Sequence, residues 1–311
     1  MPWHAQSYTM YYLFYGFLYL VSLLPMRILY FISDAIYGLV YYIIGYRKKV
    51  VMSNLAIAFP DKTVPQREKI AKKFYHNLID SFIEVIKLVS ANDAFLQKRF
   101  TADVTVLNDL YETGQSCQIH LGHTFNWEWG HLILAKLTKY KIMVVYMPIT
   151  NAVMEKLFYK LRTRSGNVFL PATNMKDAMC PYRQTQYALG LVADQNPGNI
   201  TAAYWCNFLG KPTPFVSGPE KGARASGMPV VFACIQKKRR GYYHATMKLA
   251  TSDSSLLPEG ELTLSYVRYL EEVIYRTPDM WLWSHRRWKH TWKPEYASQW
   301  IDDSVLVRET V

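Results

Sequence analysis

QIHLGHTFNWEWGHLILAKLTK, residues 118–139, places a short apolar run before a glycine and an amphipathic run after it. Gln118 to Leu121 fits a strand, Gly122 permits a turn, and Asn126 to Lys139 fits a helix with apolar residues at helical spacing. A strand, a turn and a helix in that order make one unit of an α/β layer. This stretch therefore decides the fold.

The same alternation continues along the chain. Strands are predicted at 104–107, 142–147, 168–170, 187–193, 202–208, 229–236 and 242–250, and helices at 65–91, 152–164, 174–183, 219–226 and 261–277. We therefore expect an α/β fold with a central, mostly parallel or mixed sheet flanked by helices. Ligands in such sheets gather at the carboxyl ends of the strands, where QIHLGH and ALGLVADQ stop.

The N-terminal segment carries almost no charge. Residues 7–26 contain no charged residue, and residues 28–46 contain only Asp34. A helix of twenty residues reaches about 30 Å, which is enough for a bilayer core. Basic residues at 27 and 47–49 follow, and by the positive-inside tendency they place the later chain in the cytoplasm. We predict N-terminal membrane-anchoring helices in residues 1–60 and a catalytic domain in 61–311, with two buried core helices or an interfacial hairpin as alternatives.

Composition narrows the possible classes of protein. A chain that is 50% hydrophobic and 19% charged is too apolar to be disordered, and its net charge of +12 favours acidic partners. An aromatic content of 15% suits contact with a membrane interface. The four cysteines are far apart in the sequence and without zinc spacing, so we expect free thiols.

Three histidines and one glutamate lie within residues 118–131. Their spacing lacks the HExxH pattern of zinc hydrolases, which disfavours a metal. In one continuous helix, His123 and Glu128 would lie roughly 140° apart around the axis. A turn at Gly122 lets Glu128 reach one ring nitrogen of His123 and leaves the other nitrogen to accept a proton from a hydroxyl. The alternative is a loop histidine beside a helix-capping glutamate.

Six ordered blocks of sequence share a further pattern. They are RKKVVMSNLAIAFPD (47–61), HLGHTFNWEWG (120–130), VVYMPITNAVMEKLFYKLRTRSGN (144–167), LVADQNPG (191–198), GPEKGARASGMPVVF (218–232) and PDMWLWSHRRWKH (278–290). Over roughly residues 10–295 the chain resembles the bacterial lipid A biosynthesis acyltransferases, the late lauroyl and myristoyl transferases. Their HxxxxE signature falls on His123 and Glu128.

The resemblance implies an enzyme with two substrates. Such an acyltransferase moves a fatty acyl chain from an acyl carrier protein thioester to a hydroxyl of a lipid A precursor, with no cofactor besides the carrier. It implies a place at the inner (cytoplasmic) membrane with the catalytic domain facing the cytoplasm, anionic membrane as a partner, and no nucleic acid. Alternatives are acylation of another lipid (a phosphatidylinositol mannoside, an aminolipid or glycerol phosphate), or a non-catalytic membrane-binding module.

The resemblance also suggests roles for single residues. His123 and Glu128 are predicted as the catalytic pair, and which of the two takes the proton stays open. A phosphate site is predicted at Arg162 and Arg164, with solvation of a helix end as the alternative. Asp194 and Gln195 are predicted to position the substrate or Arg164, with Asp194 as a turn cap in the alternative. Asn126 is a candidate for oxyanion binding, and Glu220 is either a surface helix residue or an active-site carboxylate. The resemblance supplies no role for His120 and His131, which we expect to be structural.

Two basic segments remain. His285 to His290, interleaved with tryptophans, is predicted to face phosphorylated lipid at the membrane surface. Lys237 to Arg240 lies between two predicted strands, and a solvated hairpin turn is expected there, with docking of an acidic carrier as the alternative.

Overall fold

The computed structural model describes residues 5–303, apart from the side chains of residues 5–9 and 176. Its helices are α1 (Ala5–Leu23), α2 (Met26–Gly38), α3 (Lys48–Ala58), α4 (Val64–Lys87), α5 (Asp93–Arg99), α6 (Thr105–Glu112), α7 (Trp127–Leu137), α8 (Ala152–Thr163), α9 (Met175–Met179), α10 (Gly218–Ser226) and α11 (Glu261–Arg276). Its strands are β1 (Phe100–Ala102), β2 (Cys117–Leu121), β3 (Lys141–Tyr146), β4 (Val168–Pro171), β5 (Tyr187–Val192), β6 (Tyr204–Phe208), β7 (Lys211–Phe215), β8 (Val230–Arg239) and β9 (Tyr242–Thr251). A π-helical segment, Leu39–Ile44, continues α2.

Seven strands form the central sheet in the order β1-β9-β8-β2-β5-β3-β4. The β8–β9 pair is antiparallel, and the other neighbours are parallel. The predicted α/β fold with a mostly parallel sheet flanked by helices is therefore confirmed. Strands β2 and β5 are neighbours although β3 and β4 lie between them in sequence, and Leu121 pairs with Val192 at their carboxyl ends.

Two local predictions were incomplete. The strand predicted at 104–107 is wrong, because α6 begins at Thr105 and buries Leu107 and Leu110 on its inner face, so packing overrides the β-propensity of a β-branched run. Strand β7 was not predicted, because it contains prolines at 212 and 214. It pairs with β6 in a separate two-stranded sheet, where a strand tolerates proline.

Helix α4 is the long amphipathic helix that the sequence predicts. It begins after Thr63, whose hydroxyl accepts from the Gln66 amide in a capping box, and Pro65 lies in its first turn. Its inner face buries aromatic and aliphatic side chains together with two carboxylates, Asp80 and Glu84, both with no exposed surface. A buried carboxylate must find donors, so these two residues determine which elements pack on α4.

Helices α1 and α2 lie against α4, and α1 also contacts α8. Tyr11, Leu18 and Leu29 are buried on the inner side of this pair. The outer side exposes large apolar residues: Met10, Tyr12, Leu13, Phe17, Tyr19, Leu20, Leu23, Ile28, Phe31, Leu39, Tyr42, Ile43, Ile44 and Tyr46. Within the described residues, Met26–Ile44 is the one helix long and apolar enough to cross a membrane, with 17% of its span buried. This helix is therefore mostly exposed, and membrane anchoring by residues 1–60 stays a prediction.

A cluster of polar contacts fastens α2 to the sheet. Asp80 accepts from Ser33 Oγ at 2.7 Å, from Lys237 Nζ at 3.3 Å and from Arg240 Nη2 at 2.6 Å. Arg240 also donates to Asp34 Oδ1 at 2.6 Å. The expectation of a solvated turn at 237–240 is therefore wrong for Lys237 and Arg240, because the buried charge of Asp80 draws both cations inward.

We expect Asp80→Ala to destabilise the protein by about 3 kcal/mol, because removing one partner of a buried ion pair leaves the other charge uncompensated. Thermal unfolding in detergent, compared with Lys238→Ala at the exposed neighbour of Lys237, measures the effect. An equal, small loss in both variants would show that the Asp80 contacts contribute little to stability.

Candidate active site

The carboxyl ends of β2 and β5 bring two predicted site residues together. His123 lies two residues after β2, and Asp194 two residues after β5. Between them, the Ala193 amide donates to the Leu121 carbonyl at 3.3 Å and so extends the pairing of the two strands. The histidine and the aspartate are therefore held at one edge of the sheet by adjacent parallel strands.

Asp194 holds His123 through both the ring and the backbone. His123 Nδ1 lies 2.5 Å from Asp194 Oδ1, and the His123 amide donates to Asp194 Oδ2 at 2.8 Å. Since an ionised carboxylate only accepts, Nδ1 donates to Asp194, and Nε2 is the ring nitrogen left for a second hydrogen bond. The arrangement therefore fixes the tautomer that a general base requires.

The aspartate itself is buried and fully bonded. Trp281 Nε1 donates to Asp194 Oδ2 at 2.6 Å, and the residue is 1% exposed. Burial opposes ionisation, but the charge of His123 and the hydrogen bonds from His123 and Trp281 outweigh it and lower the pKa of Asp194 to about 2. Gly122 permits the close approach, since a Cβ there would lie 3.2 Å from Asp194 Oδ2 and 2.7 Å from Leu270 Cδ1.

The other face of the imidazole is lined by two more groups. Gln195 Nε2 lies 3.2 Å from His123 Nε2, so the amide occupies the position where a hydroxyl that donates a hydrogen bond to Nε2 would bind. The Trp127 ring packs edge-to-face on His123 with centroids 5.4 Å apart. The His123 side chain is 21% exposed.

Glu128 is bonded differently from the prediction. Its Oε1 accepts from Arg162 Nη2 at 2.5 Å and its Oε2 from Arg162 Nε at 3.0 Å, a two-pronged ion pair. Trp127 Nε1 also donates to Oε1 at 3.2 Å. Across residues 5–303 no hydrogen bond joins Glu128 to His123, so the predicted partner of the imidazole was wrong. Asp194 takes that place because the carboxyl ends of β2 and β5 meet.

The surroundings of Glu128 stabilise its charge. Burial raises the pKa of the carboxyl, but hydrogen bonds from His131 and Arg162 outweigh burial and lower the pKa to about 2. Burial in turn lowers the pKa of His131, against the pull of Glu128. Glu128 is therefore an ionised anion of low basicity, held between a cation and the indole that packs on His123.

Asn126 occupies a structural position at the start of α7. Its Oδ1 accepts from the Trp129 amide at 3.2 Å, which caps the helix, and its Nδ2 donates to Glu84 Oε2 at 2.7 Å. Both polar atoms are used and the residue is 2% exposed. Its predicted role in oxyanion binding stays a prediction, while its position favours capping.

Arg164 lies against the end of α4. Its Nη1 donates to the carbonyls of Leu88 at 2.5 Å and Ala91 at 3.1 Å. Burial lowers the pKa of its guanidinium, and its Nη2 is buried without a hydrogen-bond partner. Phosphate binding by Arg162 and Arg164 stays a prediction, because their observed bonds go to Glu128 and to backbone carbonyls.

The remaining predicted residues have structural environments. His120 is buried beside Gln118, and burial lowers its pKa to about 3. His131 contacts Asn167, whose Nδ2 lies 2.8 Å from the His131 Nδ1. Glu220 is buried and accepts from the Gly260 and Thr263 amides at the start of α11. It is thus not a surface residue, and its observed bonds are made to the start of α11.

Sequence reasoning missed two members of the site, Trp127 and Trp281, and it placed a third, His285, in a membrane-facing segment rather than beside His123. The HxxxxE and PDMWLWSHRR blocks contain them, but their contacts depend on how distant segments meet. His285 is half-buried, and burial first, then Arg287, lowers its pKa to about 4. No group of three or more His, Cys, Asp or Glu side chains in the described part of the chain is arranged to hold a metal ion.

The lowered pKa of Asp194 predicts an acid-sensitive stability. A carboxyl whose folded pKa lies below its unfolded value stabilises the fold above that unfolded value, near 4, and loses the contribution as the pH falls toward 2. We expect the free energy of unfolding to fall between about pH 5 and pH 2 by about 2 kcal/mol more in the native protein than in Asp194→Asn. Urea unfolding across this range measures it; Asp109→Asn, at an exposed aspartate, should follow the native curve.

Comparison with known proteins adds the family. The chain matches the sequence model described as bacterial lipid A biosynthesis acyltransferase over residues 3–290. It is 22% identical over 279 residues to the lipid A biosynthesis palmitoleoyltransferase of Escherichia coli (strain K12), covering 88% of this chain and 89% of that protein. It is equally similar, with the same coverage, to the lipid A biosynthesis acyltransferase of Shigella flexneri.

Proposed function

This chain belongs to the bacterial lipid A biosynthesis acyltransferase family, and from that premise we propose the reaction of its His123 site. The enzyme transfers a fatty acyl chain from an acyl carrier protein thioester to a hydroxyl of a lipid A precursor, with His123 as general base. One observation carries the assignment: a buried carboxylate binds Nδ1 of an imidazole whose side chain stays partly exposed.

The reaction follows from this geometry. An alcohol is a weak nucleophile at neutral pH, so Nε2 of His123 accepts its proton while the oxygen attacks the thioester carbonyl carbon. Asp194 stabilises the imidazolium that forms. The tetrahedral intermediate collapses, the C–S bond breaks, and the leaving thiolate of the carrier takes the proton from Nε2. The ester product and the free thiol leave His123 neutral again.

Glu128 is less suited to be the base than His123. Its lowered pKa makes it a poor proton acceptor near neutral pH, since its ionised form is stabilised by Arg162. We assign it a positioning role. It holds the Trp127 indole, and that ring packs against His123. The spacing of the HxxxxE motif then serves to place an anion and an imidazole on opposite sides of one tryptophan.

The N-terminal helices support an interfacial position of the enzyme on the membrane. Their outer side is apolar, while Asp34, Ser33 and Tyr30 on α2 are bonded to the catalytic domain. Helix α2 therefore lies along the domain rather than projecting from it. We propose that the α1–α2 pair inserts its exposed apolar face into the cytoplasmic leaflet of the inner membrane. The net charge of +12 would favour both anionic lipid and an acidic carrier.

The competing acceptors share the same chemistry at the hydroxyl. A glycerol phosphate, an aminolipid or a phosphatidylinositol mannoside would need the same base, and family membership favours the lipid A precursor over them. A non-catalytic membrane-binding role is disfavoured by the His123–Asp194 pair, because membrane binding has no need of a fixed tautomer.

We expect His123→Ala and Asp194→Asn each to lower kcat by about 100-fold or more, the contribution of a positioned general base and its partner. The assay follows acyl transfer from acyl carrier protein to a lipid A precursor in detergent micelles, with each alternative acceptor in parallel. His244→Ala, which removes a histidine bonded to Thr101 near the start of β9, serves as the matched control.

Full activity in both variants would exclude His123 as the base. Transfer to another acceptor in preference to the lipid A precursor would exclude the proposed substrate. In Glu128→Gln we expect a smaller loss of rate than in His123→Ala, because Glu128 acts on His123 only through Trp127. A loss as large as that of His123→Ala would identify Glu128 as the proton acceptor.

The apolar face predicts membrane binding that depends on single side chains. Phe31 and Ile43 are 76% and 78% exposed. Burying such a side chain contributes about 1.5–3 kcal/mol, so Phe31→Glu combined with Ile43→Glu should weaken partitioning to vesicles by about 100-fold or more. Leu256→Glu, at a 79% exposed leucine between β9 and α11, is the control. Equal partitioning of both variants would refute the interfacial role of this face.

A further inference from the structure

A segment of the C-terminal block lies directly beside the His123 site. Asn196 Nδ2 donates to the Arg286 carbonyl at 2.8 Å, and Asn196 follows Gln195, whose amide lies 3.2 Å from His123 Nε2. Arg287 Nη1 donates to Asn196 Oδ1 at 3.0 Å. Asn196 therefore fixes the backbone at residue 286, and the residue before Asn196 contacts His123 Nε2.

Arg287 itself is a scaffold and not a ligand. It is fully buried, its Nη2 donates to the Pro214 carbonyl at 2.7 Å, and its guanidinium lies over the Phe215 ring. Burial lowers its pKa to about 10. This buried arginine holds the peptide in place, so that its neighbour Arg286 points outward and is exposed.

Helix α3 and the residue before it, Arg47, also bind the backbone of residues 283–285. Asn54 Nδ2 donates to the carbonyls of Trp283 and His285, each at 2.8 Å. Arg47 Nη1 donates to the Ser284 carbonyl at 3.0 Å. Arg47 is exposed and comes directly after the exposed residues Ile43, Ile44 and Tyr46. It therefore lies between the apolar face of the N-terminal helices and the segment beside His123.

Exposed cations dominate this junction. We call Arg47, Arg286 and Lys289 the basic rim. Within the described part of the chain, the side chains of Arg286 and Lys289 have no hydrogen bond or ion pair, and the hydrogen bond of Arg47 goes to a neutral carbonyl. Asp279, the acidic residue of 278–292, accepts from Asn77 instead.

A second observation also points to a ligand. His285 Nδ1 is buried in this segment without a hydrogen-bond partner. A buried polar atom without a partner costs free energy unless a bound group satisfies it. Unpaired guanidinium groups match phosphate oxygens in geometry and charge.

We propose that Arg47 and Arg286 of the basic rim, supported by Lys289, bind a phosphate group on the headgroup of the acceptor lipid. The inference rests on the proposed function and adds to it what positions the acceptor. The rim adjoins the apolar face, so a lipid whose chains lie in the membrane presents its headgroup there. The headgroup phosphate on the rim then holds the acceptor hydroxyl near His123 Nε2. The phosphopantetheine of the carrier is the competing source of phosphate.

The test compares Arg47→Gln and Arg286→Gln with the native enzyme on a phosphorylated lipid A precursor and on the same lipid after removal of its phosphates. Loss of one charge-assisted hydrogen-bonding group should raise KM for the phosphorylated acceptor about tenfold, with kcat changed less than about twofold. On the dephosphorylated lipid the native enzyme should already have the raised KM, and the substitutions should add nothing. Arg239→Gln, an exposed arginine packed on Tyr242, is the matched loss of charge.

Three results would overturn the assignment. The first is an unchanged KM for the phosphorylated acceptor. The second is an equal rise in KM for both acceptors, which a general effect on membrane binding or folding would cause. The third is a rise in KM for acyl carrier protein alone, which would show that the basic rim binds the carrier.

Failure of the proposed function is distinguishable from failure of this site. If the native enzyme transferred no acyl chain, the proposed function would fail, while binding would still test the rim. His123→Ala should bind micelles of the phosphorylated lipid about tenfold more tightly than those of the dephosphorylated lipid. That preference should be lost when Arg286→Gln is added; equal binding to both lipids would refute the site.

Discussion

The hydrogen bonds of the buried Glu84 carboxyl are the contacts on which the loop between β2 and α7, with His123, depends. It has no exposed surface and accepts from Tyr30 on α2, Tyr243 on β9 and Asn126 before α7. Burial raises its pKa, and the three neutral donors only partly oppose that shift. Because a buried carboxyl needs all its partners, the N-terminal helices, the sheet and the loop must assemble together.

The consequence for the site runs through Asn126. The same side chain that donates to Glu84 caps α7 through the Trp129 amide, and α7 begins at Trp127. The position of Trp127 against His123 therefore depends on α4. One turn before Glu84, the same helix carries Asp80, which contacts α2 and the β8–β9 turn. Two carboxylates four residues apart on one helix thus couple the apolar face to the chemistry.

The sequence predicts much of this fold because its signals are local. The strand, glycine and helix around residues 117–137 appear as predicted, and the helix begins at Trp127, one residue after its predicted start at Asn126. The partner of His123 is not a local property. It depends on the strand order, in which β2 lies beside β5 rather than β3. The spacing between His123 and Glu128 carries no information on that order, and so it indicated the wrong carboxylate. The position of Asp194 at a strand end was predictable, but its partner was not.

The two carboxylates near the imidazole differ in the cation that each one faces. Asp194 is paired with a histidine, a side chain that can gain or lose a proton, whereas Glu128 is paired with Arg162, whose charge is permanent. A proton can therefore enter and leave at the first pair while the second stays fixed. Motif spacing cannot separate these roles, because it gives the residue types and not the cations that the fold brings to them.

The order of surfaces along the molecule follows from the same packing. The apolar outer side of α1 and α2 exists because their inner side is used on α4, and the π-helical segment that ends it leads directly into Arg47. Arg47 contacts the segment that Asn196 joins to the loop of Asp194 and Gln195. An apolar face, exposed cations and an imidazole therefore follow one another along the molecule.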